Sequence, residues 1–123
     1  VLGTVVLATV EGDIHEIGKT LVGTMLTSSG FKVYDMGVDV PTADLIAKAE
    51  EVGADIIGLS ALLTTTMIKQ KEVVDEIAKR GLKVMVMVGG APVTKEWVQR
   101  IEADGYSEDA IGAVSVAKEL MGL

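Results

Sequence analysis

Apolar residues along the chain form short runs that alternate with longer segments of helical periodicity. The runs are rich in Val, Ile and Leu, which is typical of strands that are buried on both faces of a sheet. Pro41 stands where the second helical segment begins, and Gly81 stands where the third one ends. The pattern predicts five strands, at residues 4–10, 31–36, 56–61, 83–88 and about 105–106. It predicts five helices, within residues 14–29 and at residues 41–52, 66–80, 94–103 and 108–121.

Strands that alternate with helices need crossover connections, and right-handed crossovers produce a parallel sheet with helices on both faces. The predicted fold class is therefore α/β, a flavodoxin-like (Rossmann-type) sheet of five parallel strands in the order 2-1-3-4-5. No internal repeat, long linker or low-complexity stretch interrupts the 123 residues. We therefore expect one domain that spans residues 1–123.

Composition narrows the classes of function. Hydrophobic residues make up 49% and charged residues 24% of the chain, which suits a soluble globular protein. The net charge of −7 argues against a nucleic-acid partner, because phosphate contacts need clustered Lys and Arg. No apolar run approaches the ~20 residues that span a bilayer, so no membrane partner is expected. The chain has no cysteine, which excludes disulfides and thiolate metal sites, and the composition fits a cytoplasmic location.

Three unusual segments each follow a strand of the predicted sheet. Residues 11–18 follow the first strand, residues 60–67 begin at the end of the third, and Gly89-Gly90 ends the fourth. Ligands of open α/β sheets bind beyond the carboxyl ends of the strands, beside the first strand. We therefore expect the three segments to meet at one edge of the sheet and to form a binding site there.

His15, in the first segment, is the only histidine in the chain. A neutral imidazole is a good metal ligand, and Asp13 is placed to accept the N–H of the opposite ring nitrogen. One histidine and one aspartate do not make a zinc site, which normally takes at least three protein ligands. A metal at His15 would therefore arrive already held by a macrocycle. The alternative interpretation is a solvated histidine in a loop.

The second segment is rich in hydroxyl groups. Thr66 or a neighbour is expected to cap the third helix, which leaves Ser60 and Thr64 for contact with a buried polar ligand. Gly89-Gly90 is either an ordinary turn or a gap through which a flat aromatic group can pass.

Taken together, the three segments resemble the motifs of the cobalamin-binding family. The matching motifs are Asp13-x-His15-x-x-Gly18, Ser60-x-Leu62 and Gly89-Gly90. In that family the dimethylbenzimidazole of the cofactor leaves the cobalt, its nucleotide tail enters a deep slot, and the histidine takes the lower axial position. The resemblance thus implies that His15 binds the cobalt of cobalamin or a related corrinoid and that Asp13 holds the other ring nitrogen.

The same resemblance implies contacts for other residues. Gly18 would make room for the tail, Ser60 would hydrogen-bond the benzimidazole, and Leu62 would pack against it. Thr66 stands where methionine synthase-like domains place a serine that extends the relay from histidine and aspartate. The remaining implied cofactor contacts are Glu16, Ile17, Thr64, Gly89, Gly90, Ala91 and Tyr106.

Longer stretches, at residues 58–67, 89–94 and 103–106, resemble corrinoid proteins of methanogens and acetogens. Those proteins carry a methyl group between two methyltransferases, with the cobalt alternating between Co(I) and methyl-Co(III). The resemblance implies a carrier that is not a catalyst on its own. Its implied partners are a substrate-specific methyltransferase, a second, methyl-accepting methyltransferase and a reductive activase. Two departures stand out: Glu102 replaces a usual glycine, and the small helical cap domain that normally precedes this one is absent from the 123 residues.

Other functions remain open on the same topology. The binding subunit of an adenosylcobalamin mutase would keep the cofactor, but the hydroxyl-rich run at 62–66 fits it less well. A cobalamin light sensor would need a helical module over the upper face. A phosphoacceptor receiver domain would need an aspartate where Ser60 ends the third strand. A flavodoxin would need a phosphate loop after the first strand, where Glu11, Asp13 and Glu16 would repel phosphate.

Overall fold

The computed structural model describes all 123 residues. It contains one parallel five-stranded sheet, in the order β2-β1-β3-β4-β5, with helices on both faces. This confirms the predicted fold class and strand order. The strands are β1 (Thr4–Thr9), β2 (Lys32–Asp35), β3 (Ile56–Ser60), β4 (Met85–Gly89) and β5 (Gly105–Tyr106). The helices are α1 (Ile17–Ser28), α2 (Thr42–Val52), α3 (Thr64–Arg80), α4 (Lys95–Ile101) and α5 (Ala110–Leu120).

The two faces of the sheet are packed unequally. Successive side chains of a strand point to opposite faces, so Val6 and Ala8 of β1 face α2, α3 and α4, whereas Val5 and Leu7 face α1 and α5. The first face holds a cluster of 17 buried apolar residues, and the second holds a cluster of only seven. The face under α1 and α5 is therefore incompletely filled, which leaves space near the carboxyl ends of the strands.

Most elements have at least one boundary that differs from the predicted one by one or two residues, including the starts of β4 and α3. β4 begins at Met85 rather than at residue 83, because α3 ends at Gly81 in a left-handed conformation and residues 82–84 carry the chain back to the sheet. α3 begins at Thr64 rather than at Thr66, and Leu63 is the residue that precedes its first turn. Thr66 therefore acts from inside the first turn. No helix combines the length and apolar character that crossing a bilayer requires.

Glu102 ends α4 in the left-handed region, with a φ of 60°. A residue with a β-carbon is strained there, whereas glycine is not. We expect Glu102→Gly to raise the free energy of unfolding by about 0.5 kcal/mol, because relief of strain exceeds the extra entropy of the unfolded chain. Urea unfolding followed by circular dichroism measures the change. Glu102→Ala keeps the strain and serves as the control, and an equal gain for both variants would contradict this explanation.

Candidate functional site

The Asp13 carboxylate joins three segments at the carboxyl edge of the sheet. Its side chain is completely buried. Oδ1 accepts hydrogen bonds from the His15 backbone N–H at 3.0 Å and from His15 Nδ1 at 2.7 Å. Oδ2 accepts hydrogen bonds from the Leu62 backbone N–H and from the Thr66 hydroxyl, both at 2.8 Å. The loop after β1, the end of β3 and the first turn of α3 are thus held by one side chain.

The hydrogen bonds decide the charge of Asp13. Burial acts to raise the pKa of this carboxyl, but the donors from Leu62, His15 and Thr66 outweigh burial and lower the pKa to about 2. Asp13 is therefore ionised at neutral pH and can only accept hydrogen bonds. Because His15 Nδ1 lies against this acceptor, the neutral ring would carry its proton on Nδ1 and present the lone pair of Nε2. The His15 side chain is 46% exposed, so its imidazole is accessible to a metal.

The loop that carries this pair is braced by the segment after β2. The Gly12 N–H donates to Asp39 Oδ1 at 2.7 Å, and the Asp39 N–H donates to the Asp13 carbonyl at 2.9 Å. Gly12 has a φ of 87°, which favours glycine at this turn. The sequence analysis did not identify Asp39, because nothing in its local pattern shows that residues 12 and 39 meet.

A cavity of about 360 Å³ lies between α1 and α5 on the sparsely filled face of the sheet. Small residues create it. Gly18 contributes from α1, where a β-carbon would meet no atom within 4 Å, and Ala110 and Ala113 contribute from α5. Gly58 forms part of the floor, where a β-carbon would lie 2.8 Å from Leu7 Cδ1. The cavity therefore depends on the absence of side chains at several neighbouring positions.

The structure divides the predicted cofactor contacts into groups. Asp13, His15 and Thr66 form the hydrogen-bonded cluster described above. The residues that line the cavity are Gly18, Ser60, Leu62, Gly89, Gly90 and Ala91. Three others are exposed and do not line the cavity, and these are Glu16, Ile17 and Thr64.

Tyr106 is the one predicted contact that faces away from the cavity. It pairs with Val88 across β4 and β5 and packs against the cluster beneath α2, α3 and α4. Burial raises the pKa of its hydroxyl, with smaller effects from Glu108 and Glu96. The alternation of a strand explains the placement, because Gly105 occupies the position that faces α5. A contact between Tyr106 and a nucleotide remains a prediction.

The Gly89-Gly90 pair is pressed against the end of β3. Gly90 has a φ of 131°, and a β-carbon there would lie 1.8 Å from the Ala61 carbonyl oxygen. The Ala61 N–H donates to the Gly89 carbonyl at 3.1 Å. The pair thus lets two backbones touch and also opens the cavity beside them, so it does more than turn the chain.

Two buried polar side chains near the site escaped the sequence analysis. Gln70 donates to the Leu59 carbonyl at 3.2 Å and the Gly89 carbonyl at 3.1 Å, and it accepts from Trp97 Nε1 at 2.9 Å. Lys19 lines the cavity and places its ammonium 2.6 Å from Asp35 Oδ1. A polar residue within the apolar stripe of a helix is the signal that would have identified both.

Comparison with known proteins assigns the family. The B12 binding domain family matches residues 3–115. The dimethylamine corrinoid protein of Methanosarcina barkeri is 56% identical over 122 residues, which cover 98% of this chain and 57% of the relative. The structure of the monomethylamine corrinoid protein of the same organism superposes with a TM-score of 0.93 at 40% identity, over 98% of this chain and 58% of that one.

A third similar structure is the methanol:cobalamin methyltransferase complex from Methanosarcina barkeri, one chain of which superposes with a TM-score of 0.93 at 35% identity. The match covers 98% of this chain and 47% of that one. The 123 residues therefore span about half the length of these relatives. Since the family match covers nearly the whole chain, the chain belongs to the B12 binding domain family.

Proposed function

We propose that this chain binds cobalamin or a related corrinoid in the base-off/His-on form and serves as the methyl carrier of a methyltransferase system. The observation that carries the proposal is the pairing of Asp13 with His15 beside the 360 Å³ cavity. The pairing keeps a proton on Nδ1 and leaves Nε2 free, while the cavity offers a place for the nucleotide tail. When bound, the corrinoid supplies a cobalt centre that accepts and donates a methyl group.

The residues of the site fit such a cofactor. A single exposed imidazole without neighbouring ligands matches a metal that is already held by a macrocycle. The cavity is lined by ten hydrophobic residues among nineteen, which suits an aromatic base. Ser60 offers a hydroxyl at its wall, and Gly18 leaves open space beside it, since a β-carbon there would meet no atom within 4 Å. We infer that Ser60, Leu62, Gly89 and Ala91 contact the tail.

Each residue of the hydrogen-bonded cluster has a defined task in this proposal. Asp13 orients the imidazole and holds its proton on Nδ1, which raises the basicity of Nε2 as an axial ligand. The Thr66 hydroxyl and the Leu62 N–H fix Asp13 from the opposite side. Glu16, Ile17 and Thr64 are exposed, and we infer that they would contact the corrin ring. None of these residues supplies acid–base chemistry, so the chain acts as a carrier and the reaction steps belong to its partners.

The proposed partners follow from the carrier role. The relatives are corrinoid proteins for methylamines, and the methanol system contains a corrinoid-dependent methyltransferase complex, so we infer a substrate-specific methyltransferase as the first partner. A carrier that receives a methyl group must also release it, which requires a second, methyl-accepting methyltransferase. A reductive activase that restores the reduced cofactor completes the set.

An absorption spectrum tests the binding proposal. We expect the protein, mixed with hydroxocobalamin and desalted, to retain the corrinoid and to show a histidine-on, base-off spectrum. His15→Ala should abolish the histidine-on signature and weaken retention by tenfold or more, because the lower axial ligand is lost. Lys83→Ala, an exposed substitution beside the amino end of β4, serves as the control. Folded wild-type protein that retains no corrinoid, or an unchanged spectrum in His15→Ala, would contradict the proposal.

A further inference from the structure

We propose that the Thr9 hydroxyl is a positioning group for His15, and this inference rests on the proposed role of His15 as the cobalt ligand. Thr9 is the last residue of β1, and its side chain is completely buried. Its hydroxyl donates to the His15 carbonyl at 2.8 Å. Thr9 thus reaches across the loop to the residue that carries the imidazole, without contacting the imidazole itself.

The hydrogen bonds of His15 show why this contact matters. Both the backbone N–H and Nδ1 of His15 donate to the same oxygen, Asp13 Oδ1. Asp13 itself is anchored by the Leu62 N–H and the Thr66 hydroxyl, so these two bonds hold His15 only through the Asp13 side chain. Thr9 provides the one hydrogen bond that ties His15 directly to the sheet. Its hydroxyl therefore sets where the loop places the imidazole relative to the cavity.

Thr9 itself is firmly held. Its N–H donates to the Gly37 carbonyl at 2.9 Å, and its carbonyl accepts from the Val40 N–H at 3.2 Å. Its hydroxyl is therefore not needed to complete the backbone pairing of β1 and remains available for the loop. Removal of this hydroxyl should leave the sheet intact and release only the His15 carbonyl.

The test compares two nearly isosteric variants. Thr9→Val keeps the shape of the side chain but removes the donor, whereas Thr9→Ser keeps the donor. We expect the equilibrium for histidine ligation in the hydroxocobalamin complex to fall about tenfold in Thr9→Val, and to stay near the wild-type value in Thr9→Ser. The retained corrinoid should shift from a histidine-on toward a histidine-off, base-off spectrum. A merely structural role would lower the midpoint of urea unfolding without this spectral shift.

A second readout needs no cofactor. His15 is the only histidine, so on a protein purified without a histidine tag a long-range proton–nitrogen NMR spectrum reports on this ring alone. In mildly alkaline buffer, wild type and Thr9→Ser should show a ring fixed with its proton on Nδ1. Thr9→Val should show ring signals averaged between the two tautomers, because the imidazole moves away from Asp13.

The outcomes separate this inference from the proposed function. A fixed Nδ1–H ring in Thr9→Val overturns the inference, as does unchanged ligation in a corrinoid-bound Thr9→Val. If wild type binds no corrinoid, the proposed function fails, while the NMR comparison still decides whether Thr9 positions the ring. If Thr9→Val does not fold, Thr9→Ala compared with Thr9→Ser gives the same decision, since they differ in the hydroxyl alone.

Discussion

Replacement of Gly90 by alanine is expected to lower the free energy of unfolding by about 4 kcal/mol. The added β-carbon would lie 1.8 Å from the Ala61 carbonyl oxygen, and the φ of 131° is itself a conformation that residues with a β-carbon rarely adopt. The neighbour is backbone, so no side chain can rotate out of the way. Urea unfolding followed by circular dichroism measures the loss.

Gly37→Ala is the matched control for this substitution. Gly37 also has a positive φ, of 91°, but a β-carbon there would meet no atom within 4 Å. Its cost is the backbone strain alone, about 1 kcal/mol. The difference between the variants measures the contact between Gly90 and Ala61. Equal losses would show that the two backbones do not touch in the folded protein.

A further consequence of Gly90→Ala concerns the ligand. Leu62, whose N–H donates to Asp13, directly follows Ala61 in the chain. Any shift that relieves the contact with Ala61 therefore also displaces a donor of Asp13. We expect the folded fraction of this variant to bind hydroxocobalamin more weakly than wild type. Less corrinoid should therefore remain with the protein after desalting.

Asp13→Asn is expected to cost about 3 kcal/mol of stability and to weaken histidine ligation, although the side chain keeps its shape. Each carboxylate oxygen accepts a backbone N–H, from His15 on one side and from Leu62 on the other. An amide has only one oxygen, so in either orientation one of these N–H groups faces an NH₂ group. If the NH₂ faces His15, the ring proton moves to Nε2, and the nitrogen needed for cobalt is blocked.

Asp104→Asn provides the comparison for Asp13→Asn. Asp104 accepts a single backbone hydrogen bond, from the Val86 N–H at 2.8 Å, so an amide oxygen can replace it. We expect a loss below about 1 kcal/mol and a wild-type corrinoid spectrum for this variant. Urea unfolding curves and corrinoid spectra of both variants measure the losses of stability and of histidine ligation. A spectrum in Asp13→Asn that is as fully histidine-on as that of the wild type would show that histidine ligation does not require the carboxylate.

Local pattern was sufficient for much of the fold. The alternation of strands and helices predicted all ten elements and the strand order. Each element buries one face, and the spacing of its apolar residues along the chain shows whether it is a strand or a helix. Boundaries were less certain. Thr66 was expected to cap α3, and its hydroxyl does accept from the Leu63 N–H, but it lies within the first turn and also donates to Asp13. Its partner is 53 residues away, and local propensity carries no information about such a distance.

The sequence motifs alone also placed much of the candidate site. Asp13 and His15 are only two residues apart, so the sequence alone can predict their hydrogen bond. The cavity lining at Ser60, Leu62 and Gly89 followed from the rule that strand ends meet at one edge. The direction in which Tyr106 points did not follow from either, because a strand of two residues shows no alternation from which a face can be read.

The sequence by itself determined the topology, the edge of the sheet that carries the candidate site, and the His15–Asp13 pair, because these depend on periodicity and on short spacing. Only the tertiary structure decided which side chains hold that pair. Thr9, Leu62 and Thr66 reach the loop from β1, the end of β3 and α3, and each hydrogen bond depends on the packing of those elements. Packing also decided that the face under α1 and α5 stays partly empty, since a cavity is a property of several surfaces at once.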